Sequence, residues 1–150
     1  LINNAWWYIN YGACPLNGGN QPYSQRNLLR KIISDADSCI ALPHPGATLR
    51  YGHDTMVMPL TCLMDLDGMG MQVSDLEQLA YKGWNNYRIF PMACNIQLVF
   101  YHKKGSKDIL VKVLRNENEA TLPIKTDIAP YYHWKDVRQY YLDKLNKFTE

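Results

Sequence analysis

The sequence predicts an α/β fold, a mixed sheet with flanking helices, and three observations carry the prediction. Apolar residues recur at helical spacing in four separate stretches, two β-rich runs flank a Gly-Ser turn, and no internal repeat runs through the chain. The order α, β, α, β, β, α fits one piece of a mixed α/β domain rather than a complete repeating βαβ array. The length of 150 residues suits a single domain, 1–150. Leu, Ile, Val and Phe supply 36 of those residues, above the roughly 20% below which chains stay disordered. A net charge of +2, with no basic block longer than Lys103-Lys104, argues against wrapping nucleic acid or a charged membrane surface. No apolar run approaches the roughly 20 residues a bilayer demands, and no leader-like segment opens the chain.

Taken in order, Ile2, Ala5, Trp6 and Ile9 mark a first helix, with Gly12 at its C-terminal cap. A helix already under way at residue 1 leads to the expectation that these residues belong to a longer polypeptide. GACPLNGGNQP, residues 12–22, is a turn-rich linker that lacks the Lys-Ser or Lys-Thr of a phosphate loop. Ser24 is expected to cap an amphipathic helix built on Leu28 or Leu29, Ile32, Ile33, Ala36 and Ile40 and stopped by Pro43. Ala47–Tyr51 (ATLRY) reads as a short strand. Asp54 then stands as the N-cap of a helix over 55–66 that is apolar nearly all round and therefore buried, with Pro59 bending it. Residues 67–94 read as irregular, with a short helix at Ser74–Leu79. Residues 94–101 and 109–114 form an antiparallel hairpin across HKKGSKD, a further strand is expected at Ala120–Ile124, and an amphipathic helix from Trp134 to Phe148 closes the chain.

LRYGHDT, residues 49–55, brings a strand, a glycine, a histidine, an acid and a helix start together. Backbone N–H groups at a helix N-terminus face a site where an anion's oxygens can sit, and His53 on the turn can donate to the same anion. Asp54 could then protonate a departing oxygen, and Thr55 follows within reach of the anion. Taken alone, the pattern equally suits a plain cap and a turn histidine bonded to backbone.

The longer segment LRYGHDTMVMPLTCLMDLDG strongly resembles the C-terminal catalytic region of the histidine acid phosphatases, the branch that contains phytases and multiple inositol polyphosphate phosphatases. GWNNYRIFPMACNIQLVFY followed by ILVKVLRNENEATLPI resembles the hairpin and strand that come after that motif, and PYYHWKDVRQYYLDKL resembles the closing helix of bacterial members. The resemblance covers nearly the whole chain. It implies the C-terminal portion of the histidine phosphatase (phosphoglycerate mutase-like) fold and hydrolysis of a phosphorylated small molecule through a phosphohistidine. It also implies a periplasmic or secreted location. By position, His53 binds the transferring phosphoryl group and Asp54 donates a proton to the leaving alkoxide. Some inositol polyphosphate phosphatases carry His-Ala-Glu here, so the adjacent acid sets this chain nearer the His-Asp subset.

The family's nucleophile lies in an R-H-G-x-R element, and the sequence has no Arg-His pair. The resemblance therefore implies a partial domain, completed by an N-terminal segment of the same protein or by a second chain. With that neighbour absent, ATLRY is expected to present an open edge beside an unburied apolar helix. Arg26, Arg30, Arg50 and Arg88 are the arginines nearest the motif, each also readable as an ordinary surface charge. Cys14, Cys39, Cys62 and Cys94 are too far apart for a metal or redox motif, and no metal or cofactor is implied. A Cys14 nucleophile paired with His53 is a remote alternative. The competing class is a binding module in which Trp6, Trp7, Tyr8, Tyr131, Tyr132 and Trp134 form a planar stacking surface.

Overall fold

In the computed structural model, which describes residues 1–149, five α-helices surround one small sheet. The helices are α1 (Ile2–Tyr11), α2 (Arg26–Ile40), α3 (Asp54–Met64), α4 (Asn86–Ile89) and α5 (Trp134–Lys147). The strands are β1 (Ile96–His102), β2 (Ile109–Arg115), β3 (Asn118–Glu119) and β4 (Tyr132–His133). β1 and β2 pair antiparallel over seven residues, Ile96 opposite Arg115 through His102 opposite Ile109, as the alternating pattern and the Gly105 turn predict. β3 and β4 both pair antiparallel with β2, at Leu114–Arg115 and at Leu110–Val111. The α/β class with flanking helices stands, and every pairing in the described residues is antiparallel.

Side chains alternate across a strand, so Ile96, Leu98, Phe100, Ile109, Val111 and Val113 share the inner face. They pack with Leu29 and Ile33 of α2, Leu60, Leu63 and Met64 of α3, and Val137, Tyr141 and Leu145 of α5. A second cluster gathers Tyr8 of α1, Cys14, Met58 and Cys62 of α3, Val73, Leu79, Trp84 and Ile89. α3 divides the two. Met58 and Cys62, one turn apart, face the second cluster, and Leu60, Leu63 and Met64 face the first. The predicted all-round burial of this helix holds from Met58 onward, while its first three residues are exposed. The helix stays continuous through Pro59. Its apolar surface is therefore buried within the chain itself, and the expected unburied helix is not observed.

Three local expectations are corrected. ATLRY makes no strand, and residues 41–53 form an exposed arm in which Leu49 and Tyr51 are 74% and 92% accessible. A strand needs a partner to share its ladder, and Arg50 instead turns to pair with Asp35 of α2. Residues 120–124 are not a strand either. Ala120 and Leu122 are buried by packing; the Ala120 amide still donates to Val113 O at 2.9 Å, but the paired residues along that edge of β2 stop at Glu119 and resume only at Tyr132. Ser24 lies within a 3-10 turn (Gln21–Gln25), so α2 starts at Arg26 without a side-chain cap.

Among the described residues no helix is long and apolar enough to cross a membrane, and no cluster of three or more His, Cys, Asp or Glu side chains is arranged to hold a metal ion.

Candidate functional site

α3 is fixed firmly at its far end. Asp65 takes a left-handed conformation (φ 53°) just past the last turn, and its carboxylate accepts the Gly70 amide at 2.7 Å. The orphan carbonyls of that turn are met by α5: Tyr141 donates to Met64 O at 2.7 Å and Lys144 to Leu63 O at 2.6 Å. An ammonium at the negative end of a helix is doubly suited to the task. Beyond it, Asp67 receives the Thr121 amide and the Arg115 guanidinium, at 2.9 Å each, which locks the helix exit to β2.

The opposite end carries the predicted residues. His53, Asp54 and Thr55 are all exposed at the N-terminus of α3. The N-cap is His53, in an extended conformation, and Asp54 is the first helical residue, so the helix starts one residue earlier than predicted. Asp54 Oδ1 accepts its neighbour's amide, Thr55 N, at 2.8 Å. The Met56 and Val57 amides both point to His53 O, at 3.0 and 3.1 Å. Of the first four amides those of Thr55, Met56 and Val57 are thus engaged, which leaves that of Asp54 rather than the several amides expected. Pro59 has no N–H to offer the Thr55 carbonyl, which leaves the first turn less tightly laddered than the rest.

The site has one neighbour that the sequence did not indicate. Burial pushes the Cys94 thiol above its usual range, and the Asp54 carboxylate adds to that push. The Cys94 amide bonds Pro91 O in its own turn, and the field of a carboxylate forty residues earlier in the chain reaches its thiol.

The candidate arginines do not converge on His53. Arg50 is committed to Asp35, where the Lys31 ammonium and then Arg50 hold that carboxyl below its usual range. Arg30 donates to Asn146 at 3.0 Å, Arg26 lies over the Phe148 ring, and Arg88 lies over Tyr87. A hollow of about 340 Å³ at the hairpin, lined by Tyr101, Lys103 and Asp108, includes none of the three site residues, nor does one of about 640 Å³ lined by Arg88, Arg115 and Asn116.

The other readings can be placed too. Cys14 is wholly buried in the second cluster while His53 is exposed on the arm, so the thiol–imidazole pair does not assemble. All four cysteines are free thiols, and burial pushes Cys62 up to about 12. The aromatic runs make no flat row: Trp6 meets Trp7 at 89°, Trp7 meets Phe90 at 51°, and Tyr101 meets Tyr131 at 87°. Edge-on and tilted contacts of this kind are the geometry of packing.

This fold is the histidine phosphatase fold. The chain superposes on solved structures of the Bifidobacterium longum multiple inositol polyphosphate phosphatase with TM-scores of 0.75 (bound to inositol hexasulfate, 23% identity), 0.76 (apo form, 25%) and 0.77 (with phosphate, 24%). Those matches cover 93–95% of this chain and 29–31% of the bacterial one. In sequence, 122 residues are 26% identical to multiple inositol polyphosphate phosphatase 1 of Gallus gallus, covering 78% of this chain. In sequence and in fold the chain is thus similar to multiple inositol polyphosphate phosphatases. It spans 27% of the length of the chicken relative. No family model matches it.

Proposed function

We propose that these residues form the C-terminal, phosphate-binding and proton-donating part of a histidine acid phosphatase that hydrolyses phosphomonoesters, with inositol polyphosphates the first substrate class to test. The observation that carries the reading is the start of α3. An imidazole and a carboxylic acid belong to residues exposed on the end of a helix whose other end is anchored in two cores. The substrates named for the relatives agree with it.

The chemistry balances as two displacements. A histidine nitrogen from the missing R-H-G-x-R element attacks phosphorus, and the bond from phosphorus to the alkoxide breaks. His53 and the Asp54 amide hold the phosphoryl oxygens, and Thr55 lies beside them. Asp54 gives its proton to the leaving oxygen, which contributes about 10²–10⁴ in rate when the leaving group is a poor one. Water then attacks the phosphohistidine, returning a proton to the Asp54 carboxylate and releasing phosphate. The nucleophile comes from an N-terminal segment or from a second chain. A periplasmic or secreted location belongs to the same proposal, on the resemblance to bacterial members.

The test uses the polypeptide that contains the nucleophile element. Asp54→Asn keeps the acceptor for the Thr55 amide and removes only the proton. It should slow an alkyl or inositol phosphate about 10²-fold or more, yet spare p-nitrophenyl phosphate, whose leaving group needs little protonation. His53→Ala should slow both alike. Equal losses for the two substrates in Asp54→Asn would reduce that residue to a helix-start acid.

A further inference from the structure

Outside the candidate site, one titratable side chain has an arrangement that capping and core packing do not require. The imidazole of His133, the residue preceding α5, lies between two carboxylates: Nδ1 is 2.8 Å from Asp108 Oδ2, and Nε2 is 3.2 Å from Asp127 Oδ1. Ionised carboxylates only accept, so a ring that hydrogen-bonds to both of them must donate from both nitrogens and carry two protons. A neutral ring can serve one side, and it turns a lone pair towards the other.

The two acids come from separate parts of the fold. Asp108 sits at the foot of the hairpin, its amide held by Ser106 Oγ at 3.0 Å. Asp127 belongs to the loop that bridges β3 and β4. The hydrogen bonds of residues 126–131 are otherwise internal to the loop: Thr126 Oγ1 to Tyr131 O at 2.7 Å, Ile128 N to Thr126 Oγ1 at 3.3 Å, and Tyr131 N to Ile128 O at 2.9 Å.

We propose that doubly protonated His133 is a staple joining the 126–131 loop to the hairpin foot, and that it releases the loop as pH rises. The side that lets go is Asp127, whose contact is longer and whose side chain is 80% exposed against 44% for Asp108. The single remaining proton stays on Nδ1, facing Asp108.

The charges around the ring decide the direction. Asp108 and then Asp127 raise the ring's affinity for its second proton. The N-terminus of α5 opposes them, since His133 precedes it and imidazolium sits poorly at the positive end of a helix. Asp136 in the first turn offsets part of that opposition, and Lys135 adds to it. From β2, the residue paired with His133 is the uncharged Leu110, and Lys112 is engaged by Glu119. With its proton affinity raised in the folded state, the ring stabilises the fold fully below about pH 6.5, the ordinary histidine value, and that contribution is lost as pH rises through the raised one.

The experiment is a proton NMR titration of His133 in the chain, run together with amide exchange of residues 124–131. His133 should titrate above its ordinary value, and Asp108→Asn and Asp127→Asn should each lower its midpoint. Loop amides, corrected for base catalysis, should exchange about two- to fivefold faster above the midpoint than below it, the scale of an exposed ion pair. That step should vanish in both His133→Gln and Asp127→Asn, while the β1–β2 amides keep their protection. An ordinary midpoint for His133, or a step that survives Asp127→Asn, overturns the proposal.

Discussion

Removing one oxygen from Tyr8 tests the account of the second cluster and, through it, the seating of α3. The side chain is wholly buried. Its hydroxyl accepts the Val73 amide at 2.7 Å and has two carbonyls to donate to, Met71 O at 3.0 Å and Ala13 O at 3.3 Å. Burial raises the phenol above its usual range and keeps the proton in place. Tyr8→Phe retains the ring, which packs edge-on against Trp84 at 4.9 Å, and opens no large cavity. What it strands is the amide of Val73, a residue only 2% exposed, together with a donor to two carbonyls. An orphaned buried polar group costs about 1–3 kcal/mol, so the variant should lose about 2–3 kcal/mol in all. For a domain of this size each kcal/mol moves Tm by about 2–4 °C, and the expected fall is about 5–10 °C by circular dichroism. Tyr81→Phe, on a side chain 90% exposed, is the matched control and should leave Tm unchanged. A Tyr8→Phe variant melting within about 1 °C of the wild type would mean that the hydroxyl does not hold the 71–73 segment.

Two further outcomes follow from the anchors of α3 and from the thiols. Asp67→Ala removes the acceptor for both Arg115 and the Thr121 amide; it should cost about 2 kcal/mol, on the scale of hydrogen bonds to charged groups, read as a lower urea midpoint with an unchanged slope. Thiol titration of the native chain should find two reactive cysteines, Cys39 and Cys94, rising to four in denaturant, because Cys14 and Cys62 are buried. Three or four in the native state would contradict the second cluster.

What could be read from the sequence divides by the range of the forces involved. The hairpin was legible because alternation and a glycine turn are local signals, and α2 and α5 because apolar spacing reports one buried face. ATLRY misled because β-propensity says nothing about a partner, and Arg50 finds Asp35 rather than a neighbouring strand. Ala120 and Leu122 look like alternate residues of a strand because packing buries them, although the bonding to β2 goes no further than the Ala120 amide. At the site, His53 and Asp54 were visible as a motif. The one-residue shift of the cap was not, since it depends on Asp54 bonding the adjacent amide rather than one farther along. Cys94, forty residues away, had no local signal at all.

The position of α3 between two clusters also governs how the polypeptide can be divided. The chain visits the second cluster at Tyr8 and Cys14, the first at Leu29–Ala36, both along α3, the second again from Met69 to Ile89, and the first from Val111 onward. No single cut separates them. A piece ending near residue 90 keeps the second cluster whole but leaves α2 and one flank of α3 bare, and a piece starting near residue 26 loses Tyr8 and Cys14. Proteolytic nicking or truncation on either side thus reaches the helix that carries His53, and the histidine's position is a joint property of both halves of the chain.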